Sequence, residues 1–359
     1  MTDAYQQSWH YPRTELAKTY LKTLELGAPT MAIFAERRKG KTEFLNEDMT
    51  PLALSEGHRC CYINFWEDRS NPIACVVNGV ERSLRPELGA ASRGWKKEVS
   101  LNLGVLQAKV TKDADKSVQT ANAALQCLLE AKGSVLLQCD EIQHLATRPE
   151  FEDFTASLRT FIDGNKRRIR TIFTGSSQDN LNRLFRHQRA AFYNSASIAP
   201  FPDMGIDFIE FLVNRFEYLS GRRLTVEEVM PVFIDHHFSP ALIVELLQVM
   251  VRDGVYDICS GLQHYNHLNP PNADNQQTWE ALTALDQELL RYLAEKDQGP
   301  LYHNERYKAF SAAVGAKVTQ SAVQVSLNRL REGGLLIKAG HGQWDFENAH
   351  FKSFVQDQK

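Results

Sequence analysis

The sequence predicts an α/β protein: a doubly wound, mostly parallel sheet through residue 202, an all-helical segment behind it, and three helices with a hairpin at the end. Three observations carry this prediction. Apolar runs rich in β-branched and aromatic residues alternate with helical patterns at first, the pattern becomes purely helical from Asp203, and two short strands around a glycine turn come last. Strands separated by helices need crossover connections, which put helices on both faces of a parallel sheet. Ligands of such sheets bind at the carboxyl ends of the strands.

The chain has 359 residues, with 41 Lys plus Arg against 44 Asp plus Glu, a net charge of −3. At roughly 150 residues per domain this length suggests two or three domains. Its 43% hydrophobic and 24% charged residues exclude a fibre, a disordered tail and a strongly basic nucleic-acid coat. The apolar stretches 73–77 and 135–137 fall far short of the roughly 20 residues that a membrane-spanning helix needs. Residues 1–12 have neither a basic n-region nor an apolar h-region, so a cytoplasmic protein without a secretory signal is expected. Cys60, Cys61, Cys75, Cys127, Cys139 and Cys259 show no CxxC spacing and read as reduced thiols rather than as a metal site or disulfides.

Strands are expected at Thr30–Phe34, 60–65, 134–139, 171–174 and 196–199, with helices at Thr14–Leu26, 41–54, 118–131 and 151–162; together they make a core over 1–202. A helical lid over 203–267 follows. Ile206, Ile209, Phe211, Leu212, Phe216 and Leu219 recur at helical spacing and stop at Gly221, Thr225 with Glu228 reads as a capping box, and Ser239-Pro240 opens another helix. Residues 268–280, rich in Asn and Gln with Pro270 and Pro271, have linker composition. Over 281–359, helices at 281–294, 304–314 and 319–332 precede strands at 335–338 and 343–346 around a turn of Ala339, Gly340, His341 and Gly342. That order resembles a winged helix-turn-helix.

The strand ending at Phe34 runs into Ala35-Glu36-Arg37-Arg38-Lys39-Gly40-Lys41-Thr42 and then an apolar helix, the P-loop pattern. Such a loop aims successive N–H groups and a helix N-terminus at phosphate oxygens, with the lysine on the outer phosphates and the hydroxyl on magnesium. Lys41 and Thr42 take those two roles, and Arg37, Arg38, Lys39 and Gly40 complete the candidate nucleotide-binding loop. Ala35 stands where a glycine is usual and disfavours positive φ, so an altered loop entry is expected.

Ser134-Val135-Leu136-Leu137-Gln138-Cys139-Asp140-Glu141 is an apolar strand ending in two acids. A Walker B strand presents one carboxylate, here Asp140, to the magnesium shell and a second, here Glu141, to the attacking water. Taken singly, Lys41-Thr42 also fits an exposed helix start and Asp140-Glu141 a strand-to-helix turn; jointly, and in this order, they point to nucleotide binding. The fourth strand runs into Gly175-Ser176-Ser177, where Ser176 is the candidate for sensing the γ-phosphate or the water, and a plain Gly-Ser turn is the alternative. Cations near the site are Arg37, Arg38, Arg183, Arg186 and Arg189; the last three also fit solvated surface charges. Lys166, Arg167, Arg168 and Arg170 lie before the fourth strand, at the sheet end away from the phosphates, and fit either a macromolecular contact or a helix C-terminal cluster.

With Tyr11-Pro12-Arg13-Thr14-Glu15-Leu16 ahead of the loop, then Arg37-Arg38-Lys39-Gly40-Lys41-Thr42, Asp140-Glu141-Ile142-Gln143 and Gly175-Ser176-Ser177, the sequence resembles the archaeal-type ATPases, relatives of the AAA+ and STAND branches of P-loop proteins. The resemblance implies an ASCE-type P-loop core with strand order 5-1-4-3-2, followed by a helical lid and a C-terminal winged helix, with ATP and Mg2+ as cofactors. It implies Arg13 near the base or ribose, Lys41 and Thr42 on phosphate and magnesium, Asp140 as the Walker B acid and Glu141 as catalytic base. Two departures stand out: Ala35, and a lid segment Phe238-Ser239-Pro240-Ala241 without the arginine that many AAA+ proteins carry there.

In 301–340 the cations Arg306, Lys308, Lys317, Arg329, Arg331 and Lys338 face only two acids, Glu305 and Glu332, a local excess in an acidic chain. Thr319, Gln320, Ser321, Gln324 and Asn328 suit phosphates or base edges; packing on the core or on a protein is the alternative for this module. Three functions compete: an ATP hydrolase or ATP-controlled switch acting on DNA or a protein, able to form homo-oligomers; a winged-helix DNA-binding regulator that binds nucleotide without turnover; and a small-molecule phosphotransferase. The acidic pair and the lid favour hydrolysis over the last.

Overall fold

The computed structural model describes residues 8–88, 118–130, 133–146, 148–176, 184–185, 190–270, 273–295, 301–340 and 343–358. Arg183, Arg186, Arg189, Ser177, and His341 and Gly342 of the expected hairpin turn lie outside them. The chain forms two compact units, one reaching Tyr256 and one running from Asp257 to Lys359. Among the described residues no helix is long and apolar enough to cross a membrane.

The first unit is built on strands β1 (Thr30–Phe34), β2 (Arg59–Asn64), β3 (Val135–Asp140), β4 (Ile169–Gly175) and β5 (Ser197–Ala199). All pair in parallel, in the order β2-β3-β4-β1-β5, which is 5-1-4-3-2 from the other edge. Strand β3 is buried at every position, because helices cover both faces of a parallel sheet. Its side chains alternate between two cores: Val135, Leu137 and Cys139 enter one with Ile63, Val76 and Leu125, while Leu136 enters the other with Leu24, Ile33 and Phe44.

Helix α1 (Thr14–Leu26) packs in the second of these cores. Helix α2 spans 41–55 and widens to π-helical geometry over Phe44–Met49, the stretch containing Asp48. Helix α3 (Pro72–Leu88) is not among the helices expected from the sequence. It sets Val76, Val80 and Leu84 into the core and leaves Asn78 and Arg82 exposed. Helices α4 (Val118–Glu130) and α5 (Glu152–Gly164) complete the layers.

Three helices follow as the sequence predicts. Helix α6 (Ile206–Ser220) ends at Gly221, whose φ of 67° is the left-handed cap that glycine favours. Helix α7 (Val226–Asp235) begins with the Thr225–Glu228 capping box, and α8 (Pro240–Asp253) begins with a first-turn proline after Ser239, which holds the N-cap position without a capping hydrogen bond from its side chain.

The second unit contains α9 (Ile258–Leu268), α10 (Ala273–Glu280), α11 (Ala284–Ala294), α12 (Asn304–Val314), α13 (Gln320–Glu332), the antiparallel strands β6 (Leu336–Gly340) and β7 (Gln343–Phe346), and α14 (Ala349–Asp357). Two boundaries differ from the sequence expectation. Residues 273–280, expected as linker, form α10, because Trp279 is buried with Leu289, Leu293, Phe351 and Phe354. Helix α9, expected in the lid, belongs to the second unit. Asp286 on α11 is buried and takes hydrogen bonds from the Ser326 hydroxyl and from Arg329 Nη2 (2.7 Å) on α13. These bonds hold the Asp286 carboxyl below the usual carboxylate range against the opposing effect of burial.

Candidate functional site

Strand β1 delivers residues 35–40 to the N-terminus of α2 at the carboxyl edge of the sheet. The left-handed residues of this loop are Arg38 (φ 64°) and Gly40 (φ 84°); Ala35 needs no positive φ, so the missing glycine leaves the loop intact. Lys41 is buried, and its Nζ donates to Ala35 O at 2.5 Å and Glu36 O at 2.7 Å. Burial lowers the pKa of Lys41 and the Arg37 charge adds to the lowering, while Glu141 and Asp140 oppose it.

Asp140 is fully buried at the end of β3. Thr42 Oγ1 on α2 donates to its Oδ2 at 2.6 Å, as does the Tyr62 hydroxyl on β2 at 2.8 Å; the Thr174 hydroxyl on β4 and the Glu141 N–H donate to Oδ1. The neighbouring strands are therefore arranged around one carboxylate. Burial, followed by the Asp140 charge, raises the pKa of the Tyr62 phenol, keeping it a donor. Neither Tyr62 nor Thr174 was singled out from the sequence. Their positions near the carboxyl ends of β2 and β4 are the only signal they leave.

Glu141 follows with a left-handed backbone (φ 55°). Its Oε2 accepts from Gln143 Nε2 and from Ser176 Oγ (3.2 Å), and Gln143 Nε2 also reaches Ser176 Oγ at 3.2 Å. Gln143 thus ties the two predicted catalytic residues together. Its place two residues after Glu141 gave no independent hint of this.

A cleft of about 870 Å3 opens over these groups, lined by Arg37, Arg38, Gly40, Lys41, Thr42 and Glu141, with Ala241, Val244 and Gln248 of α8 opposite. A cavity of about 170 Å3 shares Gly40, Glu43 and Ala241 with it and is lined also by Arg13, Asp48 and Phe208. The Arg13 guanidinium lies 4.2 Å from the Phe201 ring centroid and donates to Pro202 O at 2.6 Å. Asp48 Oδ1 accepts the Arg13 N–H at 2.8 Å and contacts His10 Nε2 at 3.2 Å, while His10 Nδ1 contacts Glu43 at 3.1 Å. Burial alone would lower the His10 pKa, but these two carboxylates outweigh it and raise it to about 9.

Lys39, expected among the nucleotide-binding residues, does not line the cleft. Its ammonium turns to Asp203 Oδ1 (2.7 Å) and to His237 O and Phe238 O, the two consecutive left-handed residues between α7 and α8. It straps the loop to the helices behind it. Other called residues, including Arg37, Arg38, Gly40, Lys41, Thr42 and Glu141, converge on one space, and Asp140 and Ser176 are hydrogen-bonded to members of that group.

The chemistry of this donor set fits a magnesium–triphosphate. A hydroxyl and a carboxylate side by side offer the hard oxygen ligands that magnesium takes, and a lysine at a helix N-terminus supplies positive potential for phosphate. Glu141 adds a carboxylate to the cleft wall, a group whose chemistry suits accepting a proton.

No family model matches the sequence, and no curated protein does. Solved structures do match in fold. A Walker-type ATPase of Pyrococcus abyssi superposes with a TM-score of 0.58 at 14% identity, over 96% of this chain and 95% of that one. The ORC2 protein of Aeropyrum pernix in its ADP form also gives 0.58 at 14% identity, over 96% and 92%; its ADPNP–ADP complexes give 0.57 at 14% identity, over 96% and 93%. The likeness is one of architecture: this chain shares its α/β fold with these proteins.

Proposed function

We propose that the protein binds ATP with magnesium and hydrolyses it, using the energy or the nucleotide state to act on DNA or a protein partner. The observation that carries this proposal is the convergence of Lys41, Thr42 and Asp140 beside Glu141. Lys41 contacts the outer phosphates, Thr42 and Asp140 take magnesium ligation directly or through water, and Glu141 accepts the proton of the attacking water. Ser176, with Gln143, orients Glu141. Arg13 and the small cavity beside it receive the base or ribose, and α6–α8 act as the lid.

The module of α11–α13 and β6–β7 has the element order of a winged helix, and the six cations against two acids of its 301–340 stretch, Arg329 among them paired with Asp286, support DNA as a partner. A nucleotide-controlled regulator without turnover is the second reading. It is favoured by one observation: α8 faces the cleft with Ala241, Val244 and Gln248, none of them cationic.

The test is ATP hydrolysis by the purified chain with magnesium, with and without duplex DNA, beside Lys41→Ala and Glu141→Gln. A drop of at least about a hundredfold in Glu141→Gln with nucleotide binding retained is expected, the size of a lost general base. Binding without turnover in the wild type selects the second reading, and absence of binding refutes both. Stimulation by DNA identifies the partner class, and indifference to DNA points to a protein.

A further inference from the structure

Trp66, two residues past the end of β2, is 41% exposed although it stands at the rim of a buried core. Its backbone N–H donates to Asn64 Oδ1 at 2.8 Å, and its ring meets the His144 ring edge-on at 4.4 Å between centroids. Two guanidinium groups lie against the ring, Arg37 from the phosphate loop at 5.0 Å and Arg69 at 4.7 Å. Core packing does not require this arrangement, because all three of these side chains are exposed.

Trp66, Arg37, Lys41 and Glu141 line the same cleft. The opposite wall, on α8, contributes no cation. Transfer of a terminal phosphoryl group spreads negative charge over its oxygens, which a positioned cation must meet. Arginine suits this, since its planar fork contacts two phosphate oxygens together. The aromatic face holds the guanidinium without neutralising it, so the charge stays available. His144, beneath the ring, is lowered to about 4 by burial and by Arg69 and Arg37, so it adds no charge of its own at neutral pH.

We propose that Arg37, held on the Trp66 ring in the cleft that Glu141 also lines, is the cation in the same chain that contacts the terminal phosphate of a bound nucleoside triphosphate, with Trp66 as its positioning residue. This rests on the nucleotide-binding reading above. Arg69 keeps a cation on the ring when Arg37 turns to the phosphate, which makes that exchange cheap. Arg37 then distinguishes triphosphate from diphosphate, a role for which the α8 residues lining the cleft, Ala241, Val244 and Gln248, offer no cation.

The experiment is calorimetric titration of the full chain with magnesium and either ATPγS or ADP, for wild type, Arg37→Ala, Arg37→Lys and Trp66→Leu, with tryptophan emission followed in parallel and Trp66→Phe as the spectral control. Arg37→Ala is expected to weaken ATPγS by about ten- to a hundredfold, the worth of a charge-assisted hydrogen bond, and ADP by less than about twofold. Arg37→Lys recovers part of the ATPγS affinity, and Trp66→Leu lowers the ATPγS-to-ADP ratio, which a purely structural role would leave unmoved. ATPγS changes the emission of wild type but not of Arg37→Ala or Trp66→Phe. An unchanged ratio in Arg37→Ala, or an equal loss for both nucleotides, overturns the assignment alone. Failure of the wild type to bind either nucleotide overturns the nucleotide reading and this assignment with it.

Discussion

Thr42 Oγ1 lies 2.6 Å from Asp140 Oδ2, joining the first turn of α2 to the end of β3. The same carboxylate also takes the hydroxyls of Tyr62 and Thr174, so its removal strands three hydroxyl donors at one point. Asp140→Ala is expected to cost about 3 kcal/mol of stability, whereas Asp140→Asn, which keeps an acceptor oxygen, costs less. Urea unfolding with an unchanged slope measures both. A loss below about 1 kcal/mol for the alanine variant would show that the surrounding hydroxyls find other partners.

His10, between Asp48 and Glu43, has its pKa raised from 6.5 to about 9. A histidine raised on folding contributes stability that is complete below its free value of 6.5 and lost as pH rises through 9. The melting temperature of the wild type should therefore fall more steeply between those pH values than that of His10→Gln. Equal slopes would mean that the ion pairs are absent in solution.

Gly79 brings α3 against β2: a Cβ there would lie 2.7 Å from Tyr62 O and 2.8 Å from Ile63 Cγ1. Gly79→Ala should destabilise by about 1–3 kcal/mol despite its better helix propensity. Gly164, at the end of α5 with nothing within 4 Å of an added Cβ, is the contrast. Gly164→Ala should be neutral or gain about 0.5 kcal/mol by stiffening the unfolded chain, and thermal melts of the pair decide whether close approach is the cause.

Asp286 and Arg329 make the corresponding polar lock in the second unit. Asp286→Ala removes the acceptor for Ser326, Arg329 and the Thr283 cap and should cost about 3 kcal/mol. Because its folded pKa is depressed, its contribution is present above the free value of 3.8 and fades as pH falls through the lower folded value. Acid unfolding of wild type and variant, followed by the fluorescence of Trp279 and Trp344, should converge at the lowest pH.

The loop ending in Gly40-Lys41-Thr42, the acidic strand end and the alternation of strands with helices were all legible in the sequence, because each depends on local chemistry. Gly40-Lys41-Thr42 marks a helix start after a strand, and a buried strand needs a continuous apolar run such as Val135–Asp140. The helix cap at Thr225 was legible for the same reason. Only the tertiary structure decided the rest. Tyr62 and Thr174 meet Asp140 through strands far apart in sequence, and Lys39 turns away from the phosphate cleft because Asp203 and the carbonyls of His237 and Phe238 lie beside it. Helix α10 stayed hidden because Trp279 finds a core that its own segment does not announce. Arg37 is one basic residue among several along the chain; the proximity of Trp66 is what distinguishes it. A sequence fixes which groups a segment carries, and the fold fixes which of them share a space, since pairing across strands and helices is set by packing of the whole chain.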